Sequence, residues 1–364
     1  MSKEKPNEAE RHMLYMKKVA DRVDALLEKE FGAGSSKRIV EKLLGVDAST
    51  YSLPSVEKSL VEPARYLMSM GGKRLRPALM LTIIEALGKN PEDYMEFSII
   101  PEIIHNSTLV HDDIEDNSAT RRNKPALHVQ FGLAIANNLG DFGYYYPIIT
   151  VLDSGKLSGE MKSKLITIYQ RDMLKLTIGQ GTDLAWGVGA VDLRSITEDN
   201  VLGMLYGKTG VLTSMTGKLA ATLCGATENV VQAISDFCAA LGVGFQLQDD
   251  LLNVTESDVS KNKGMIGEDI TEGKITLLVI YTLEHASPAD KERLIQILRM
   301  HTKDQAHIRE AIQIMKRYNA HEHTDEVKRK VIDDAWAKLD KALPDSEAKK
   351  RLKFLADFAV GRTG

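Results

Sequence analysis

Cysteine is scarce: Cys224 and Cys238 are the two in 364 residues. Both lie in apolar, helix-like context without metal-ligand spacing, so they are expected to be buried thiols in a reducing compartment. No apolar run reaches membrane-spanning length. The polar start MSKEKPNEAERH has no hydrophobic region of the signal-peptide kind. A cytosolic (cytoplasmic) protein without a membrane span is the expectation. Charge of one sign is also missing in excess. A net charge of −4 gives no reason to expect nucleic-acid binding. Sustained alternation with a hairpin turn is absent, which argues against strands. So are solenoid repeats, low-complexity tracts, a nucleotide loop and a catalytic cysteine, and no tightly bound organic cofactor is indicated.

What is present is helical period. Met13, Met16, Val19, Val23 and Leu26 recur at three- and four-residue steps, and GAGSS (32–36) ends that pattern. Leu60, Ala64, Leu67 and Met68 mark a second apolar face. Ser287 before Pro288 and Asp290 has the form of an N-cap with proline in the first helical position. The helix it opens carries Leu294, Ile297 and Leu298. Segments 33–37, 117–125 and 255–273 are expected to be loops. Residues 1–50 read as an appended helical segment, and 51–364 as one all-α domain.

Chemistry enters with LVHDDIEDNSATRR, 109–122. On a helix over 98–116, Asp112 and Asp116 stand one turn apart on one face, with Asp113 beside them. Like charges at that spacing, near a helix C-terminus, are destabilising in the absence of a ligand. A hard divalent cation held by carboxylates and substrate phosphates offsets the cost, and magnesium fits. The alternative is a solvated acidic helix end. GFQLQDDLLNV, 244–254, repeats the pattern with Asp249, Asp250 and Asn253. Asn253 keeps an oxygen ligand, or else simply caps or hydrogen-bonds locally. Two such sets could face each other across a bundle with metals between them. Cations follow. Lys73, Arg74 and Arg76 sit in MGGKRLRPAL, and Arg121 and Arg122 come directly after the first cluster. Arginine offers bidentate bonds to phosphate and lysine a point charge.

In order and spacing, GGKRLRP, His105, DDIEDNSATRR, GQGTD (179–183), KTG (208–210), FQLQDD (245–250) and NKGMIGEDITEGKIT (262–276) resemble the trans-polyprenyl diphosphate synthases over about residues 55–364. DDIED, Asn253 and EDITEGK are most similar to archaeal or eukaryotic geranylgeranyl diphosphate synthases. The resemblance implies a large single-domain helical bundle around a central cavity, the isoprenoid synthase type, acting as a homodimer. It implies an allylic diphosphate on about three Mg²⁺ ions held by Asp112, Asp116 and Asp249, with Asp113, Asp250 and Asn253 in support. Arg121, Lys208, Lys263 and Lys274 would neutralise its phosphates. Lys73, Arg76, His105 and Arg122 would hold isopentenyl diphosphate without metal. Gln180, Asp183 and Gln246 would orient the machinery. The Lys208 carbonyl, Thr209 hydroxyl and Gln246 amide oxygen would face an allylic carbocation.

In that family bulky groups four or five residues before the first aspartate set a shallow floor. Thr108 and Ser107 stand there and are small, which disfavours a farnesyl-limited product. Tyr144 and Tyr145 match bulky floor positions of eukaryotic-type geranylgeranyl synthases, although core packing would equally use them. Thr177 replaces a histidine that helps form that floor, which leaves longer products open. A terpene cyclase would not need GGKRLRP, and a non-catalytic partner subunit tends to lose an acidic or basic site that this chain keeps.

Overall fold

The structure, a computed structural model, describes residues 7–255 and 266–361. Contacts divide the chain into two compact units. One runs to Thr167 and takes in Thr222–Cys224; the other holds Ile168–Ala221 and the chain from Gly225 onward.

The first unit opens with α1 (Glu8–Phe31), started by a capping box between Asn7 and Glu10. Its buried stripe is His12, Met16, Val19, Val23, Leu27 and Phe31. Met13 is 53 % exposed, so the stripe is rotated from the one the spacing suggests, with Leu27 rather than Leu26 at its centre. The GAGSS break is shorter than expected, because Ser35 and Ser36 already belong to α2 (Ser35–Leu44). Next, α3 (53–69) contains a π-helical turn at Glu57–Val61. Helix α4 (Leu75–Ala86) is apolar nearly all round and is buried accordingly. Helix α5 (Ile99–Glu115) packs on α6 (Leu133–Tyr145) at very short range. A Cβ on Gly143 would lie 1.8 Å from Ser107 Oγ, and one on Gly140 would lie 2.5 Å from His111 Nε2. Between these helices Thr120–Arg121 (β1) and Lys124–Pro125 (β2) pair antiparallel, in a segment expected to be loop.

The second unit carries most of α7 (Gly159–Gly187) and α8 (198–223), the latter with a π-helical turn at Tyr206–Gly210. It also holds α9 (Glu228–Asn253), the short α10 (Glu268–Glu272), α11 (Leu277–His285), α12 (Pro288–Arg299), α13 (Gln305–Arg317), α14 (Ala320–Ala342) and α15 (Glu347–Gly361). Ser287 accepts a hydrogen bond from the Asp290 N–H and caps α12, whose Leu294, Ile297 and Leu298 are buried. Helix α9 is long and apolar enough, by length and composition, to cross a membrane. In this fold its apolar residues go into the protein instead. It lies along α14, where a Cβ on Gly244 would come within 2.4 Å of Ile332 Cδ1. Val243, Leu247 and Leu251 join the apolar cluster built by α11–α13. Among the described residues the fold is all-α apart from the small hairpin, as expected. Cys224 is partly buried and Cys238 fully buried, and burial pushes both thiols up, the first to about 11.

Candidate active site

In the first unit, Asp112 and Asp116 stand at the end of α5, one turn apart, with the Asp116 N–H donating to the Asp112 carbonyl at 2.9 Å. Asp113 is turned by the helical pitch to another face and is 2 % exposed. Arg121 Nε donates to its Oδ1 at 3.0 Å. Burial nevertheless raises the Asp113 carboxyl, outweighing the pull of Arg121. Asp113 therefore serves first as the anchor of Arg121, whereas Asp112 and Asp116 keep more open oxygens. The hairpin makes this possible. Its turn residues Arg122 and Asn123 have φ of 50° and 63°, the left-handed pair of a two-residue turn. It brings Arg121 back onto Asp113 and Arg122 onto the Gly71 carbonyl.

The GGKRLRP segment is the other wall. Gly71 and Gly72 have φ of 75° and 152°, and Arg74 stands in the left-handed region at φ 47°. Arg74 is turned inward, while Lys73 is exposed and Arg76 half-buried. The Nε of Arg76 is buried and has no hydrogen-bond partner among the described residues. The imidazole of His105 is held well below its ordinary value, first by burial and then by Arg76, Arg122, Arg121 and Arg74. Burial, then Arg74, also lowers Arg122. After burial, neighbouring arginines add to the depression of His105 and Arg122, and guanidinium donors grouped in this way suit a phosphate-like anion.

In the second unit α7 and α8 cross with backbones in contact. A Cβ on Gly179 would lie 2.2 Å from Gly207 C and Lys208 N. Beside that crossing Lys208 Nζ meets Asp183 Oδ2 at 2.6 Å. The π-helical turn carries Lys208 and Thr209; such turns recur at functional sites. Thr209 Oγ1 donates to Gln246 Oε1 at 3.4 Å, and Gln246 Nε2 donates to Asp250 Oδ1 at 3.0 Å. Asp249 is exposed and Asp250 buried. Burial, then Asp269, pushes Asp250 well up, and burial pushes Asp269 up to about 7. Asn253 Oδ1 accepts from the Asp269 N–H at 3.2 Å, and the Asn253 carbonyl from the Gly267 N–H at 2.9 Å. Asn253 thus ties α10 to the end of α9. Lys274 Nζ lies 2.5 Å from Glu272 and 3.8 Å from Asp269. Lys263 lies outside the described residues.

Among the residues assigned to product length, Ser107 is buried against Gly143 rather than open. Thr108 Oγ1 donates to the His105 carbonyl at 2.7 Å. Tyr144 packs on His111, ring centroids 5.0 Å apart, whereas Tyr145 is 76 % exposed. Thr177 Oγ1 donates to the Met173 carbonyl at 3.1 Å.

The donor sets are oxygen-only, which suits a hard cation. Among the described residues no three carboxylate, imidazole or thiol groups are gathered tightly enough to hold an ion by themselves. An ion at either cluster would complete its shell with water or phosphate oxygen, as magnesium habitually does.

Residues 57–315 match the model of the polyprenyl synthetase family. The chain belongs to that family. A short chain isoprenyl diphosphate synthase of Methanothermobacter thermautotrophicus is 34 % identical over 305 residues, 84 % of this chain and 91 % of that protein. The geranylgeranyl diphosphate synthase of Sulfolobus acidocaldarius is 33 % identical over 308 residues, 83 % and 91 % of the two. The crystal structure of geranylgeranyl pyrophosphate synthetase from Pyrococcus horikoshii superposes with a TM-score of 0.84 at 28 % identity, covering 98 % of this chain and 100 % of that one. As a polyprenyl synthetase the chain is a prenyltransferase. Two features of its site went unassigned in the sequence. Asp269 sits within EDITEG, where neighbouring acids hide which carboxyl lies near Asp250. Arg74 sits among exposed cations, where only the left-handed backbone turns it inward.

Proposed function

We propose that this prenyltransferase joins isopentenyl diphosphate head-to-tail and trans to an allylic diphosphate, and that its main product is geranylgeranyl diphosphate. The observation that carries this is the cationic group around Arg76, whose buried Nε has no hydrogen-bond partner among the described residues, in the same unit as the first acidic cluster. It supports an anion site besides the carboxylates that would hold metal, and a condensation needs two diphosphates where a cyclase needs one. The identity to geranylgeranyl synthases and the small Thr108 support the product length.

Lys73, Arg76, His105 and Arg122 would bind isopentenyl diphosphate through charge-assisted hydrogen bonds. Asp112, Asp116 and Asp249 would hold magnesium with the allylic diphosphate, with Asp250 and Asn253 in support. Magnesium, when bound, would offset the charge that builds on the leaving pyrophosphate. Arg121, Lys208 and Lys274 would add to that neutralisation from fixed positions. The allylic C–O bond breaks with its electron pair leaving on oxygen. The Thr209 hydroxyl and Gln246 amide oxygens turn negative dipoles toward the carbocation. The terminal double bond of isopentenyl diphosphate forms the new C–C bond, and a proton leaves C2 for the pyrophosphate. The surrounding apolar helices would exclude water, which would otherwise quench the cation. The enzyme is proposed to act as a cytoplasmic homodimer. Thr177, in place of a floor histidine, favours longer products as the second possibility. Incubating the protein with Mg²⁺, isopentenyl diphosphate and farnesyl diphosphate, then sizing the dephosphorylated lipids, tests this. A C20 alcohol is expected; release of pyrophosphate without chain growth would contradict it.

A further inference from the structure

We propose that the first helix is part of the isopentenyl diphosphate site: Asp24 on α1, acting through Arg74, is a positioning residue for Lys73, Arg76 and Arg122. The inference rests on the substrate assignment made above. Arg74 lies between two turns of chemistry. It precedes α4, follows Lys73 directly, and stands two residues before Arg76. Its backbone, at φ 47° and ψ 41°, is one that a side chain with a Cβ adopts only when something holds it. Three acceptors do. Nε donates to Asp24 Oδ1 at 2.7 Å, Nη1 to Glu102 Oε1 at 2.6 Å, and Nη2 to the Met68 carbonyl at 3.2 Å. Arg74 is 2 % exposed, and so is Glu102; the Asp24 side chain is half exposed.

The same guanidinium reaches the rest of the cationic group. A Cβ on Gly72 would meet Arg74 Nη1 at 3.2 Å and Arg122 Nη1 at 3.1 Å, so the two arginines lie over one glycine. Glu102 is one helical turn before His105 on α5 and also accepts from Asn106 Nδ2 at 3.2 Å. Without Asp24 the Arg74 fork keeps Glu102 but loses the acceptor that fixes its Nε edge. The left-handed turn is then free to relax, and Lys73 and Arg76 move with it. Asp24 acts through the Arg74 guanidinium that it holds.

Asp24 is exposed enough for Asp24→Ala to fold, whereas Arg74→Ala would strand buried Glu102. Isopentenyl diphosphate is titrated into the full chain by calorimetry, alongside turnover with farnesyl diphosphate. Asp24→Ala is expected to weaken isopentenyl diphosphate binding and raise its KM by about tenfold, as loss of one charge-assisted hydrogen bond would. The KM for farnesyl diphosphate and the melting temperature stay at wild-type values. Asp24→Asn, which keeps an acceptor oxygen, restores most of the loss. Wild-type isopentenyl diphosphate affinity in Asp24→Ala overturns the proposal. So does an equal loss for both substrates accompanied by a lower melting temperature, which would make the pair a plain structural staple. If the wild-type protein binds no isopentenyl diphosphate, the substrate assignment itself fails, and the role of Asp24 falls with it.

Discussion

Gly179→Ala puts one methyl group into the crossing of α7 and α8. The nearest atoms are Gly207 C and Lys208 N, both at 2.2 Å and both backbone. Carbon atoms in favourable contact stand about 3.5–4.0 Å apart, so the two chains must separate by more than about 1 Å. No side chain can swing aside to absorb this. Overpacking of that kind costs about 1–3 kcal/mol, and backbone on both sides puts it at the upper end. Alanine returns up to about 1 kcal/mol through its better helix propensity. The clash wins, leaving a net loss of about 2 kcal/mol and a melting temperature lower by on the order of 5 °C. The functional loss should be larger. Lys208 and Thr209 sit on the turn that is pushed, and Lys208 is paired with Asp183 at 2.6 Å. A displacement of about 1 Å at a reacting centre can cost roughly a hundredfold in rate. Thermal melts and pyrophosphate release with isopentenyl and farnesyl diphosphates measure the two effects separately. Gly179→Ala with wild-type melting and wild-type turnover would refute the close crossing and the dependence of Lys208 on it.

His105 gives a pH dependence. Burial and its arginine neighbours hold its imidazole below the unfolded value of about 6.5. A depressed folded value means that the unfolded chain binds the proton better. The stabilisation is therefore full above about pH 6.5 and is lost as pH falls through the folded value. Denaturant midpoints of wild type are expected to fall below pH 6.5 more steeply than those of His105→Gln; parallel curves would contradict this. Gly143→Ala should destabilise by about 1–3 kcal/mol, because its Cβ would come 1.8 Å from Ser107 Oγ. Ser107→Gly in the same chain should recover most of the loss, and additive melting shifts would show that the two positions do not touch. Asp113→Ala should lower turnover by releasing Arg121 while leaving Mg²⁺ affinity within a few-fold of wild type, since Asp113 is committed to Arg121. A Mg²⁺ affinity as weak as that of Asp112→Ala would make Asp113 a ligand instead.

Much of the fold was legible because it rests on local rules. The Ser287–Pro288 start of α12 and the helices bearing both acidic clusters follow from capping and from the 3.6-residue period. The hairpin was not legible, because its turn is Arg122–Asn123 and lacks the glycine that marks such turns. Both π-helical turns were not legible either, because no residue type in EKSLV or YGKTG marks such a turn. Among the candidate site residues, type and spacing singled out the aspartates but not what each one contacts. Asp112 and Asp113 are adjacent, yet the helix separates them by about 100°, and only Asp113 is buried on Arg121. The docking of the Asp269 backbone on Asn253 and the inward turn of Arg74 onto Glu102 and Asp24 rest on partners distant in sequence.

The most direct test is Mg²⁺-dependent chain growth in wild type, Asp112→Ala and Asp249→Ala. Each receives isopentenyl and farnesyl diphosphates, and the products are resolved by length. Wild type should form C20 diphosphate only when Mg²⁺ is present. Each variant should lose several orders of magnitude in turnover with its helical circular dichroism unchanged. Wild-type turnover in either variant, or product formed at the full rate in chelator, would contradict the assignment of two acidic clusters to one metal-bound diphosphate.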